Sequence, residues 1–147
     1  MKPDTAFALA QEMIDAHGLK GWRAVRRNYK STGGVTYFDT KTIGFSATLI
    51  EKWTKAQFTQ IVLHEIAHAL VGPSHGHDRV WAARARSIGY KGGRTHDLPT
   101  VEGRWILTCP DHGELERRHN RSRKLLCCRM CAKVVKWTDS SKLAAAV

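Results

Sequence analysis

Acidic residues are scarce in this chain: 13 Asp and Glu stand against 24 Lys and Arg, a formal net charge of +11 over 147 residues. A basic excess on this scale implies a polyanionic partner, nucleic acid first and an anionic membrane surface second. No run approaches the roughly 18 to 20 apolar residues that cross a bilayer. Asp4, Gln11, Glu12 and Asp15 interrupt the opening residues where a secretory leader needs an unbroken apolar stretch. The chain is therefore expected to be cytoplasmic, with no membrane partner. Cysteine is absent before position 109, and all four (Cys109, Cys127, Cys128, Cys131) fall in one 23-residue window. In a reducing compartment such clustering favours metal ligation over disulfides.

What is present describes a folded protein. Hydrophobic residues make up 42% of the chain and five are tryptophan, enough for one modest core plus a small appendage. Phe7, Leu9, Ala10, Met13 and Ile14 recur at helical spacing between Asp4 and His17, and Gly18 ends that helix. WRAVRRN (22–28), VTYFD (35–39) and TIGFSATLI (42–50) read as strands of a small antiparallel sheet. Thr54-x-x-Gln57 has capping-box form and opens a second helix through FTQIVLHEIAHALV, which stops at Gly72-Pro73. A third helix runs from about Asp78 to Ser87. The Gly- and Pro-punctuated stretch YKGGRTHDLPT (90–100) reads as a linker. These boundaries give a unit over 1–92, a second over 93–140 and a disordered tail over 141–147.

Residues 64–68 are His-Glu-Ile-Ala-His. A helix turns every 3.6 residues, so His64 and His68 share a face and can present two imidazoles to one ion. Glu65 sits about 100° round the helix, placed to act as a general base on water beside that ion. The surrounding residues are apolar (Leu63, Ile66, Ala67, Ala69), so this polar trio needs partners. A third ligand is required, and the sequence excludes two familiar sources. No Glu occurs between Asp78 and Val101, so the thermolysin-type carboxylate is missing. The compact H-E-x-x-H-x-x-G-x-x-H pattern needs Gly at 71 and His at 74, where Val71 and Ser74 stand. His75 and His77 are the remaining candidates. His77 opens the helix that carries Trp81, and a ligand on a packed helix is held more rigidly than one in a Gly-Pro loop.

In this order, the first helix, the sheet, TIGFSATL, HEIAHAL, His77-x-x-x-Trp81 and an Ile-Gly helix end, the chain resembles the SprT-like zinc metalloproteases, the Spartan-related DNA–protein crosslink proteases among them. The resemblance covers roughly residues 4–90. It implies His64, His68 and His77 as ligands of a catalytic zinc, with Glu65 as general base. His75 lies outside the family pattern and is expected to be a solvated loop histidine.

Cys109-Pro-Asp-His112 and Cys128-Arg-Met-Cys131 are two knuckles separated by 15 residues, inside the roughly 15 to 20 of zinc ribbons with one Cys replaced by His. They are expected to hold a second, structural zinc. Cys127 is left over as a buried or partly buried free thiol. Many SprT-like proteins carry such a ribbon. Between the knuckles, Arg117, Arg118, Arg121, Arg123 and Lys124 suit a phosphate backbone without base reading. Arg84, Arg86, Lys91, Arg94, Arg23, Arg26 and Arg27 add to the basic balance.

The expected protein is thus α+β: a small zincin-like metalloprotease domain of three helices and a short antiparallel sheet, followed by a small β zinc ribbon. Its expected function is zinc-dependent cleavage of DNA-bound or DNA-crosslinked proteins by a monomer that binds DNA largely independently of sequence. The alternatives are a nucleic-acid-binding adaptor with a structural or weakly active H-E-x-x-H site, and a metal-dependent hydrolase of non-peptide substrates.

Overall fold

Helix α1 (Pro3–Ala16) buries Ala6, Ala10 and Ile14, a stripe at four-residue spacing, and ends where Gly18 turns at φ +73°. Strands β1 (Arg23–Arg27), β2 (Gly34–Tyr37) and β3 (Thr42–Ser46) form a sheet in the order β1-β3-β2. The computed structural model describes residues 1–143.

The sheet departs from the expected antiparallel meander. β2 and β3 pair antiparallel, with Gly34 opposite Phe45, but β1 and β3 run parallel, with Ala24 opposite Ile43. Every residue of β3 is buried, which suits a central strand paired on both edges. The chain therefore crosses from β1 to the far edge before returning through β3. β3 is also shorter than the apolar run 42–50. Ser46 Oγ accepts the Leu49 N–H at 3.2 Å and donates to the Tyr29 carbonyl at 2.6 Å, so Ala47–Ile50 becomes a short helix, α2.

Helix α3 (Lys55–Val71) begins at the expected capping box. Thr54 Oγ1 accepts the Gln57 N–H at 3.2 Å, and Gln57 Oε1 accepts the Thr54 N–H at 2.9 Å. Phe58, Ile61, Val62 and Ile66 face a core shared with Phe45, Leu49, Ile50 and Trp53. Leu63 and Ala67 pack instead on Trp81 and Ala85 of helix α4 (Arg79–Ser87). Gly72, at φ +89°, ends α3, and Asp78 caps α4 by accepting the Trp81 N–H at 3.0 Å.

The first compact unit extends to Val101, beyond the boundary expected at 92/93. Trp53 Nε1 donates to the Pro99 carbonyl at 2.8 Å, Val101 N–H donates to the Lys30 carbonyl at 3.1 Å, and Leu98 and Val101 pack on the core. A buried indole N–H needs an acceptor, and this strap supplies it.

The second unit starts at Glu102. Strands β4 (Trp105–Cys109), β5 (Gly113–Arg118), β6 (Leu126–Cys127) and β7 (Val134–Asp139) order as β5-β4-β7-β6, antiparallel throughout. Asp139 accepts from Arg104 Nε at 2.9 Å and from Ser141 N–H at 3.1 Å, so it ties the strand end to the turn α5 (Ser140–Leu143). Part of the span expected to be a disordered tail is thus helical, and the remainder, residues 144–147, lies outside the described ones. No helix among the described residues is long and apolar enough to cross a membrane.

Candidate metal centres

α3 and the bend ahead of α4 bring three imidazoles to one point: His64 and His68 stand on α3, while His77 precedes the Asp78 cap of α4 and does not open that helix as expected. His77 Nε2 lies 3.0 Å from His64 Nε2 and 3.1 Å from His68 Nε2. Nitrogens on tetrahedral zinc, at bonds of 2.0–2.1 Å, stand about 3.3 Å apart, so the spacing fits zinc within a few tenths of an ångström. The chemistry fits as well. Burial pushes His64 down to about 3, helped by the nearby His68, His77 and His96. It pushes His68 down to about 4, and it lowers His77, assisted by Arg94. Neutral imidazoles are what a metal requires. Three converging lone pairs have too few N–H groups among them for mutual hydrogen bonding, and a central cation satisfies all three.

Trp81 holds the cluster in shape. Its ring stacks on His68 at 5.2 Å between centroids and meets His64 and His77 edge-on at 4.8 Å and 4.6 Å. His75 does not join the three: it stays in the loop between α3 and α4, partly exposed. Its Nδ1 lies 2.8 Å from Asp78 Oδ2, with its side chain 31% exposed. Asp78 caps α4 with its other oxygen, so His75 braces the turn that delivers His77.

Glu65 stands apart from the ligand set. It is 6% exposed, and Thr36 Oγ1 on β2 donates to its Oε2 at 2.8 Å. Burial raises its pKa to about 7, against the opposing bond from Thr36. A carboxylate held there can both take and return a proton near neutral pH. Gly34 makes room for it, because a Cβ at 34 would lie 2.7 Å from Glu65 Cγ. Thr36 and Gly34 carry no motif, and sequence reasoning missed both. Gly34→Ala is expected to displace the carboxylate and to shift its titration, read by carbon NMR of the Glu65 carboxyl; an unchanged titration would show that the contact does not hold Glu65.

The histidines and Glu65 open on a cleft of about 450 Å³ whose other walls include Gly33, Thr36, Phe38, Arg94 and His96. Fold and site therefore define a candidate metal centre of three histidines within an H-E-x-x-H helix and the bend that follows it, open on one side to the cleft. The chain belongs to the SprT-like family, whose model matches residues 6–101. It is 26% identical over 141 residues to Protein SprT of Actinobacillus succinogenes, a match covering 87% of this chain and 76% of that protein. No solved structure matches the chain.

The second cluster, Cys109, His112, Cys128 and Cys131, has its ligand atoms within 4.8 Å of one another. Cys109 Sγ lies 3.5 Å from both His112 Nδ1 and Cys131 Sγ, and Cys128 Sγ lies 3.6 Å from His112 Nδ1. Zn–S bonds of ~2.3 Å place tetrahedral ligand atoms about 3.6 to 3.8 Å apart. A residue in the left-handed region follows each knuckle, Gly113 at φ +71° and Ala132 at φ +58°. Burial raises the Cys109 thiol, but bonds from His112 and from the Asp111 and His112 backbone outweigh it and bring the pKa to about 6. Cys127 is exposed, contrary to the buried or partly buried thiol expected.

The five cations between the knuckles are not equivalent. Arg117 pairs with Glu114 at 2.6 Å and Glu102 at 3.2 Å, and Arg118 pairs with Glu116 at 3.0 Å. Arg121 lies over Trp105, 4.5 Å from the ring centroid. Arg123 and Lys124 form no ion pair among the described residues.

Proposed function

We propose that the chain is a zinc metallopeptidase that acts on proteins held on DNA. The observation that carries the peptidase reading is Glu65: a buried carboxylate at neutral poise, adjacent in sequence to a ligand histidine and facing an open cleft. A structural metal site has no use for a base there. His64, His68 and His77 would hold the zinc, which would supply Lewis-acid polarisation of a carbonyl and acidification of water. Glu65 takes the proton of the attacking water and delivers it to the leaving amide nitrogen. Thr36 keeps the carboxylate turned towards the cleft. β2 is an edge strand, so its outer N–H and C=O groups can pair with an extended peptide and lay it beside Glu65.

The net charge of +11, with Arg123 and Lys124 in no ion pair among the described residues, supports DNA as the tether. A peptidase without a deep specificity pocket gains selectivity when DNA raises its effective concentration at a bound protein. The test is cleavage of a DNA-bound protein by the zinc-loaded chain, with and without DNA, alongside Glu65→Gln. DNA-stimulated cleavage abolished in Glu65→Gln is the expected result. Cleavage indifferent to DNA would remove the tethering half of the proposal. DNA binding with no cleavage at all would instead favour the adaptor reading.

A further inference from the structure

His96 is a fourth histidine of the cleft that the steps above do not use. It lies on the strap that Trp53 and Lys30 fasten to the first unit. Its ring meets Trp53 edge-on, centroids 5.9 Å apart, and a Cβ added to Gly33 would stand 3.0 Å from its Nε2. Glu65 abuts the next residue, Gly34. His96 and Glu65 thus lie beside successive residues, Gly33 and Gly34, and both line the cleft.

The two ring nitrogens have different surroundings. Nδ1 is sealed from solvent and has no hydrogen-bond partner, whereas Nε2 is not so enclosed and the ring lines the cleft. An orphaned buried N–H is costlier and rarer than an under-used acceptor. The proton of the neutral ring therefore belongs on Nε2, which makes His96 a donor aimed at whatever occupies the cleft.

We propose that His96 is a catalytic residue of the peptidase reaction: its Nε2–H donates a hydrogen bond to the carbonyl oxygen of the scissile peptide as negative charge develops there. The proposal rests on the peptidase reading. No bond to His96 forms or breaks, and its contribution is a fixed dipole that strengthens as the oxygen gains charge. Removing one such donor typically lowers kcat by ~10²–10³.

The experiment has two arms on the full zinc-loaded chain. Long-range proton–nitrogen NMR at neutral pH should show His96 as the Nε2–H tautomer, whether or not any peptide is cleaved; an Nδ1–H tautomer overturns the donor assignment. In the kinetic arm, with denatured casein as substrate, His96→Leu should lower kcat by ~10²–10³ with KM and zinc content little changed. His96→Gln, which keeps an N–H near Nε2, should recover at least tenfold. A change confined to KM, loss of zinc, or a kcat loss found in Arg94→Ala and not in His96→Leu would overturn it. Casein left intact by the wild type as well as by Glu65→Gln would instead remove the peptidase reading and the proposal with it.

Discussion

His77→Ala is expected to remove one of two zinc ions per chain and to reduce hydrolysis below detection, whereas His75→Ala keeps both ions. The expectation follows from which nitrogens converge. His77 Nε2 lies within 3.1 Å of both other ligand nitrogens, while His75 is turned to Asp78. Losing a direct ligand costs more than the ~10–100-fold in affinity that accompanies loss of an outer-shell partner. It also leaves His64 and His68 with only each other beside Trp81. His75→Ala removes a brace on the α4 cap that is partly exposed on both sides, so a small drop in Tm is expected with metal retained. Metal analysis of dialysed protein reads both variants, with the ribbon ion as internal reference. Two zincs in His77→Ala, or one in His75→Ala, would reassign the third ligand.

How much of this centre was legible in the sequence depends on how local each signal is. The H-E-x-x-H pair and the Thr54–Gln57 box are contained within one or two helical turns, so period and caps revealed them. His77 needed the next helix and was chosen on the family pattern and Trp81. Thr36, Gly34 and His96 reach Glu65 or the cleft from 30 or so residues away in the chain. Nothing in a strand reading VTY or a loop reading RTHD marks such a meeting. The strap was misread as linker because Gly92, Gly93 and Pro99 outweighed Leu98 and Val101 in a purely local view. The parallel β1–β3 pairing was equally hidden, since alternation within a strand does not name its neighbour. Ser46 was the one missed local signal: a Ser ahead of ATLI is a helix cap as readily as a strand residue.

Chelation of the ribbon ion is expected to unfold the second unit while the first keeps its secondary structure. The second unit's core cluster is small: Leu107, Cys109, Cys128 and Val135, so two of its four buried members belong to the candidate metal cluster. A module this size buries too little apolar surface to stand alone and depends on a staple. The free energy of structural zinc binding, of order 10–16 kcal/mol in small peptides, is then folding free energy. Without the ion, Cys109 and Cys131 compete. The Lys133 N–H pulls the Cys131 thiol down, but burial and the Cys109 and Cys128 sulfurs beside it outweigh that bond and push it up to about 11. Cys109 and Cys131 would both bind a zinc as thiolates, which would remove this conflict. Cys127 supplies the assay, because it alone among the four is exposed. One thiol should react rapidly with a disulfide reagent in the zinc-loaded chain, and all four after chelation. Hydrogen exchange should show β4 and β7 losing protection together, while α3 retains it on its separate core. Cys128→Ser should reproduce the chelated state without a chelator. Four fast thiols in the zinc-loaded protein, or β4 still protected after the metal is removed, would show that the ribbon does not rest on its ion.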